Sequence, residues 1–168
     1  MEEPTQSIEV RKARQEDTDA IAAIYTESIL ARDSTMVTDP VSGAEMLERL
    51  SGLDPRETLL VAQEGESVIG WGIVKLYSER PGYRLACETS VFLKRDHLGQ
   101  GIGSLVQKEL MASARNGGFH HVLVRIWAQN DSSIAMHRKF GFTIVGTQQE
   151  IGEMDGQWID VTIMQCLL

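Results

Sequence analysis

The 168-residue sequence predicts one α/β domain, built on a mixed, mostly antiparallel twisted sheet flanked by helices. Three observations predict it. Seven short runs of strand-forming residues are interleaved with four segments of helical apolar spacing. Three of those runs, between residues 58 and 93, follow one another with only short connections, the pattern of an antiparallel meander. No repeat, long linker or low-complexity segment interrupts residues 1–168, so a single domain spans them.

The elements follow in order. "SIEVRKA", residues 7–13, alternates and reads as a strand. "RQEDTDAIAAIYTESIL" carries acids in its first turn and Ile21, Ile24, Tyr25 and Ile29 at helical spacing. "DPVSGAEMLERL" offers Ser42 as N-cap and puts Met46, Leu47 and Leu50 on one face of a short helix. "TLLVAQE" and "SVIGWGIVKLY" are strands joined by a tight turn at Gly65, and "YRLACETSVFL", 83–93, is a third strand. Ile102, Leu105, Val106, Leu110 and Met111 mark a helix ended by Gly117 and Gly118. "HHVLVRIWA" is a strand. "DSSIAMHRKFG" is a short helix with Asp131 as N-cap and Gly141 as C-cap. "FTIVGTQQE" and "QWIDVTIMQCL" close the order β-α-α-β-β-β-α-β-α-β-β.

Composition narrows the function. The formal net charge of −8 at pH 7 argues against nucleic acid and anionic membranes as partners, which need clustered Lys and Arg. A small anionic ligand in a local site remains compatible with it. No apolar run reaches the ~18 residues of a membrane helix. The opening "MEEPTQSIEV" is acidic and polar, unlike a signal peptide. Only Cys87 and Cys166 occur, with no pairing pattern, so a reduced cytoplasmic setting is expected. His120 and His121 are adjacent on a strand and face opposite sides, so they cannot share a metal, and no other ligand set stands out.

"HLGQGIGS", 97–104, holds glycines at alternate positions: Gly99, Gly101 and Gly103. A plain glycine turn before a helix is one reading. A dinucleotide fingerprint needs a glycine at 104, where Ser104 stands, and an acid after the next strand, where none occurs. A P-loop needs a lysine that the loop lacks. The remaining reading is a pyrophosphate cradle. Glycines leave room for the ligand, and successive N–H groups together with a helix N-terminus attract the anion.

This loop, the strand "SVFL" before it and "NDSSIAMHRKFGF" after it together resemble the GNAT acetyltransferases. Their loop pattern Gln/Arg-x-x-Gly-x-Gly/Ala falls on Leu98, Gly101 and Gly103, with Leu98 replacing the usual Gln or Arg. "IYTESILARDSTMVTDPVS", "ETSVFL" and the tail "GQWIDVTIMQCLL", with Gly156, Trp158, Asp160 and Met164, are similar to the phosphinothricin acetyltransferase branch, so the resemblance covers most of the chain.

The resemblance implies the GNAT fold, acetyl-CoA as cosubstrate, and N-acetylation of a small amino-acid-like amine such as phosphinothricin, methionine sulfone or methionine sulfoximine. It implies that Leu98, Gly99, Gln100, Gly101, Ile102, Gly103 and Ser104 hold the pyrophosphate. The backbone of Val91, Phe92 and Leu93 would pair with the pantetheine arm as an added strand, with the Val91 N–H as oxyanion donor. Asn130, assisted by Ser133, would bond the pantetheine amides; the alternative for both is helix capping.

Glu88 matches the glutamate of the branch's E-x-S-V motif and is the candidate general base, acting through water. Its apolar strand should desolvate it and raise its pKa toward a useful value. The alternative is an acid on the outer face of a half-buried strand, with Cys87 and Thr89 inward. His137 stands where many members place a tyrosine and would protonate the departing thiol; a surface histidine is the alternative.

The acceptor segments depart from the branch. Met36-Val37 replaces an aromatic-Glu pair. "YSERPGYR" keeps Arg80 and Arg84 but has Ser78 for an arginine. "MDGQW" puts Met154, Asp155 and Gln157 in the tail motif. Arg80 and Arg84 are the candidate anchors of a substrate carboxylate, their alternative being a solvated basic turn. The branch also implies a homodimer. Two rival functions remain open: an acetyl-CoA-binding module without turnover, and a protein or peptide N-terminal acetyltransferase.

Overall fold

A computed structural model describes residues 7–168, so the acidic opening segment up to Gln6 lies outside the described residues. Seven strands form one sheet in the order β1-β2-β3-β4-β5-β7-β6. In chain order the elements are β1 (Ile8–Lys12), α1 (Thr18–Ala31), α2 (Gly43–Ser51), β2 (Thr58–Glu64), β3 (Ser67–Leu76), β4 (Ala86–Leu93), α3 (Ile102–Asn116), β5 (His121–Trp127), α4 (Asp131–Lys139), β6 (Thr143–Met154) and β7 (Gln157–Leu167). This is the predicted order. All neighbours pair antiparallel except β4 and β5, which run parallel.

Alternation on the strands divides the core into two layers. Cys87, Val122, Val124 and Met164 point to one face and pack with Val106 and Leu110 of α3. Trp71 and Ile73 point to the other and pack with Ile21, Ile24 and Tyr25 of α1 and Met46 of α2. Trp71 stacks on Phe92 at 4.9 Å between ring centroids and meets Tyr25 edge-on at 5.2 Å. Gly72 lets α3 approach closely, because a Cβ there would lie 2.7 Å from Val106 Cγ1 and 2.9 Å from Leu110 Cδ1.

Local boundaries follow from capping. Ser42 caps α2 as predicted: Glu45 N–H donates to its Oγ at 3.2 Å, and Glu45 Oε2 accepts from Ser42 N–H at 2.7 Å. Three predictions need correction. The third strand begins at Ala86 rather than Tyr83, because Pro81 opens a short 3-10 turn over Pro81–Tyr83. The cap of α4 is Asn130, not Asp131: Asn130 Oδ1 accepts the Ser133 N–H at 3.2 Å. β6 also runs on past Glu150 to Met154.

Candidate active site

The parallel pairing of β4 and β5 lasts only three steps, Ala86 with His121, Cys87 with Val122 and Glu88 with Leu123. Beyond Glu88 the strands separate. The split opens a cleft of about 820 Å³, with Thr89–Leu93 on one wall and Val124–Trp127 on the other.

The β4 backbone faces this split in alternation. Lys94 N–H donates to Ile69 C=O at 2.9 Å and Tyr77 N–H to Ala86 C=O at 3.2 Å, so even-numbered residues spend their backbone groups on β3. Thr89, Val91 and Leu93 therefore turn their N–H and C=O groups toward the cleft. Phe92, predicted to join them, bonds toward β3 instead and sends its ring into the aromatic cluster with Tyr25 and Trp71.

At the mouth of the cleft lies the glycine loop. Gly99 and Gly101 have φ of 74° and 81°, left-handed values that only glycine adopts freely, and among the described residues no atom beyond their chain neighbours lies within 4 Å of where their Cβ would stand. Gly101 is the N-cap of α3 and has no side chain to cap it, so the first N–H groups of the helix are open to an anion. Leu98, Gly99, Gly101, Gly103 and Ser104 line the cleft. Gln100 and Ile102 do not: Gln100 Nε2 donates to Asp96 C=O at 3.0 Å, and the Ile102 side chain is buried in the core. Arg95 and Asp33 form a forked ion pair, at 2.7 and 3.2 Å, that ties the loop after α1 to the loop before α3.

Glu88 is the last β4 residue paired with β5, just behind the closed end of the split, and does not itself line the cleft. Cys87 and Thr89 do turn toward α3, where Gln107 Nε2 donates to Thr89 Oγ1 at 3.3 Å. Glu88 thus belongs to the opposite face, the one carrying α1 and α2, yet it is buried there rather than solvated. Two cations hold it: Arg125 Nη1 donates to Glu88 Oε1, and Lys75 Nζ lies 3.9 Å from Glu88 Oε2. Neither partner is identified by sequence reasoning. The one available signal is the charge of Arg125 inside the apolar run "HVLVRIW".

On the α3 face, the Cys87 thiol is pushed up to about 12 by burial and, secondarily, by the charge of Glu88. It is no nucleophile at neutral pH.

On the β5 side, Asn130, Ser133 and His137 line the cleft together. Asn130 Oδ1 caps α4, the alternative reading, and the residue also lines the cleft. His137 is buried, not a surface histidine. Its Nδ1 donates to Ser133 C=O at 2.8 Å, and burial holds its pKa below the ordinary 6.5 although that hydrogen bond opposes the shift. A neutral ring with its proton on Nδ1 presents Nε2 as an acceptor, so the predicted acid role conflicts with the geometry. Trp127 also lines the cleft, and among the described residues its buried Nε1–H has no partner.

The predicted acceptor residues are not gathered by this cleft. Arg80 and Arg84 are exposed on the turn before β4 and do not line it. The Arg84 C=O accepts from Arg56 Nη1 at 2.6 Å, and its N–H donates to Pro81 C=O at 3.2 Å. Met36 and Val37 lie on the exposed loop after α1, with Met36 laid against Gly152 of β6. Residues just before them, Arg32, Asp33 and Ser34, do line the cleft. Among the described residues no group of three or more His, Cys, Asp or Glu is arranged to hold a metal ion.

A sheet split between parallel strands, with a glycine-bounded helix N-terminus at its mouth, defines an acyltransferase of the GNAT class. A family model described as "Acetyltransferase (GNAT) domain" matches residues 10–163, and the chain belongs to this family, whose enzymes use acetyl-CoA as cosubstrate. Within the family it is of the phosphinothricin acetyltransferase-like branch. It is 31% identical over 168 residues to the L-methionine sulfoximine/L-methionine sulfone acetyltransferase of Salmonella typhimurium, covering 95% of this chain and 94% of that protein. It is 30% identical over 164 residues to the L-amino acid N-acyltransferase MnaT of Escherichia coli, covering 95% and 93%. The crystal structure of a GNAT superfamily phosphinothricin acetyltransferase from Sinorhizobium meliloti in complex with acetyl-CoA superposes with a TM-score of 0.91 at 32% identity, covering 96% of this chain and 88% of that one.

Proposed function

We propose that the protein transfers an acetyl group from acetyl-CoA directly to the amine of a small amino-acid-like acceptor, of the phosphinothricin, methionine sulfone or methionine sulfoximine type. The observation that carries this reading is the split between β4 and β5, with a buried carboxylate, Glu88, just behind its closed end. The named activities of the relatives supply the acceptor class.

Bound in the split, acetyl-CoA supplies an acyl carbon activated as a thioester. The open backbone groups of Val91 and Leu93 hold the pantetheine arm as an extra strand would, and the glycine loop with the first turn of α3 holds the pyrophosphate. The Val91 N–H meets the negative charge that develops on the carbonyl oxygen. Glu88 takes a proton from the acceptor ammonium, directly or through water, and frees the lone pair. The nitrogen–carbon bond then forms as the carbon–sulfur bond breaks. The nitrogen gives up two protons in all, one to Glu88 and solvent, the other ending on the sulfur.

Attack is direct in this reading; burial pushes the Cys87 thiol up, so it offers no nucleophile for an acyl-enzyme. His137 contributes an acceptor at Nε2 rather than the proton for the thiolate.

The protein acts as a homodimer in this reading. β6 is a 12-residue edge strand whose apolar side chains Ile144, Val145 and Ile151 are exposed, with Trp158 of β7 beside them at 65% exposure. An edge of that length and character is a pairing surface for a second copy. The two buried free thiols suit a reducing compartment such as the cytoplasm.

Glu88→Gln tests the base. It keeps the shape and removes proton acceptance, so kcat should fall about 100-fold with acetyl-CoA affinity retained. An unchanged rate and pH profile would remove Glu88 from the mechanism.

A further inference from the structure

Arg125, Glu88 and Lys75 form an isolated charge cluster on the α1/α2 face of the sheet. Lys75 pairs across from Glu88 in the β3–β4 register, and Arg125 is the next residue of its face on β5 after Leu123, where the strands part. Two cations surround one carboxylate, so the cluster carries a net charge of +1 in a chain whose net charge is −8. Both cationic side chains are close to half exposed, 47% for Lys75 and 44% for Arg125, while the carboxylate is 9% exposed. The surplus positive charge therefore faces outward.

Arg125 also lines the cleft. Among the described residues its guanidinium bonds only through Nη1, to Glu88, which leaves the rest of its five-donor fork unengaged.

Resting on the amino-acid acceptor reading above, we propose that Arg125, with Lys75 in support, anchors the carboxylate of the acceptor. In an α-amino acid the amine and the carboxylate share one carbon. A carboxylate anchor must then stand beside the group that takes the amine's proton. Arg125 touches Glu88; Arg80 and Arg84 do not line the cleft at all. A zwitterion laid across the cluster puts its ammonium against Glu88 and its carboxylate against the surplus cations. A planar fork suits two carboxylate oxygens, which a lysine cannot match.

The experiment compares L-methionine sulfone with its decarboxylated amine for wild type, Arg125→Ala, Arg125→Lys, Arg80→Ala and Arg84→Ala. Acetyl-CoA affinity is measured separately by thermal shift. In Arg125→Ala, KM for the amino acid should rise roughly 10- to 100-fold relative to KM for the amine, with Arg125→Lys in between and acetyl-CoA affinity unchanged. Loss of Glu88 alignment alone would lower kcat for both acceptors equally, so the KM ratio separates anchoring from positioning. An unmoved ratio in Arg125→Ala overturns the assignment, and a ratio that moves in Arg80→Ala or Arg84→Ala instead returns the anchor to the turn before β4. Failure of the acceptor reading has its own signature, a wild type that uses the amine as well as the amino acid.

Discussion

Gly101→Ala isolates the cradle from the fold. Gly101 holds φ of 81° at the start of α3, and a Cβ there meets open space rather than protein. The only cost to the ligand-free protein is a non-glycine residue in left-handed backbone, about 1–2 kcal/mol. For a chain of this size that lowers Tm by about 2–8 °C. Gly118, just past the other end of α3, has φ of 74° and equally open space, so Gly118→Ala carries the same strain away from the cleft. Wild type with acetyl-CoA at a hundred times its Kd gains about 2.7 kcal/mol, or about 5–10 °C. Differential scanning fluorimetry across an acetyl-CoA titration then gives three curves. Gly118→Ala should start low and keep the full ligand-dependent rise. Gly101→Ala should start equally low and lose most of the rise, because its methyl stands where the anion approaches the helix. Equal ligand-dependent shifts in the two variants would refute the cradle.

Three further outcomes follow from the same geometry. Trp127→Phe removes a buried donor that lacks a partner among the described residues, so Tm without ligand should hold or rise, while acetyl-CoA or acceptor affinity falls about tenfold by isothermal titration. His137 has a folded pKa below that of the unfolded chain, so its contribution to stability is full above pH 6.5 and drains as pH falls through the folded value; His137→Gln should flatten that part of a urea-denaturation pH series. Asp17 is buried and takes both guanidinium nitrogens of Arg11, at 2.7 and 2.9 Å, so Asp17→Asn should cost about 3 kcal/mol by denaturant titration.

Much of the fold was legible because its signals are local. Ser42 with Glu45, the Gly117-Gly118 stop and the short apolar run of "TLLVAQE" each act within a few residues, and each element they predict is present. The misplaced boundaries are also local. Pro81 takes Tyr83 out of the strand, and Asn130 outcompetes Asp131 for the cap.

The candidate site was legible where backbone conformation defines it, at Gly99 and Gly101. It was not legible where charge pairing defines it. Arg125 reaches Glu88 across 37 residues, and that meeting depends on the parallel β4–β5 register, which periodicity does not encode. His137 shows the same limit: its spacing from Ser133 is visible in the sequence, but its burial against Phe142, and hence its neutral ring, comes from packing.

Acetyl transfer to an amino-acid amine is tested most directly by free-thiol release from acetyl-CoA, with acceptor acetylation followed by mass spectrometry. The acceptors are L-methionine sulfone, L-methionine sulfoximine, phosphinothricin, a simple alkylamine and a short peptide. Thiol should appear in step with acetylated product, with kcat/KM highest for the amino-acid analogues. Acetyl-CoA that stabilises the protein yet releases no thiol with any acceptor, or a preference for the peptide over every amino acid, would contradict it.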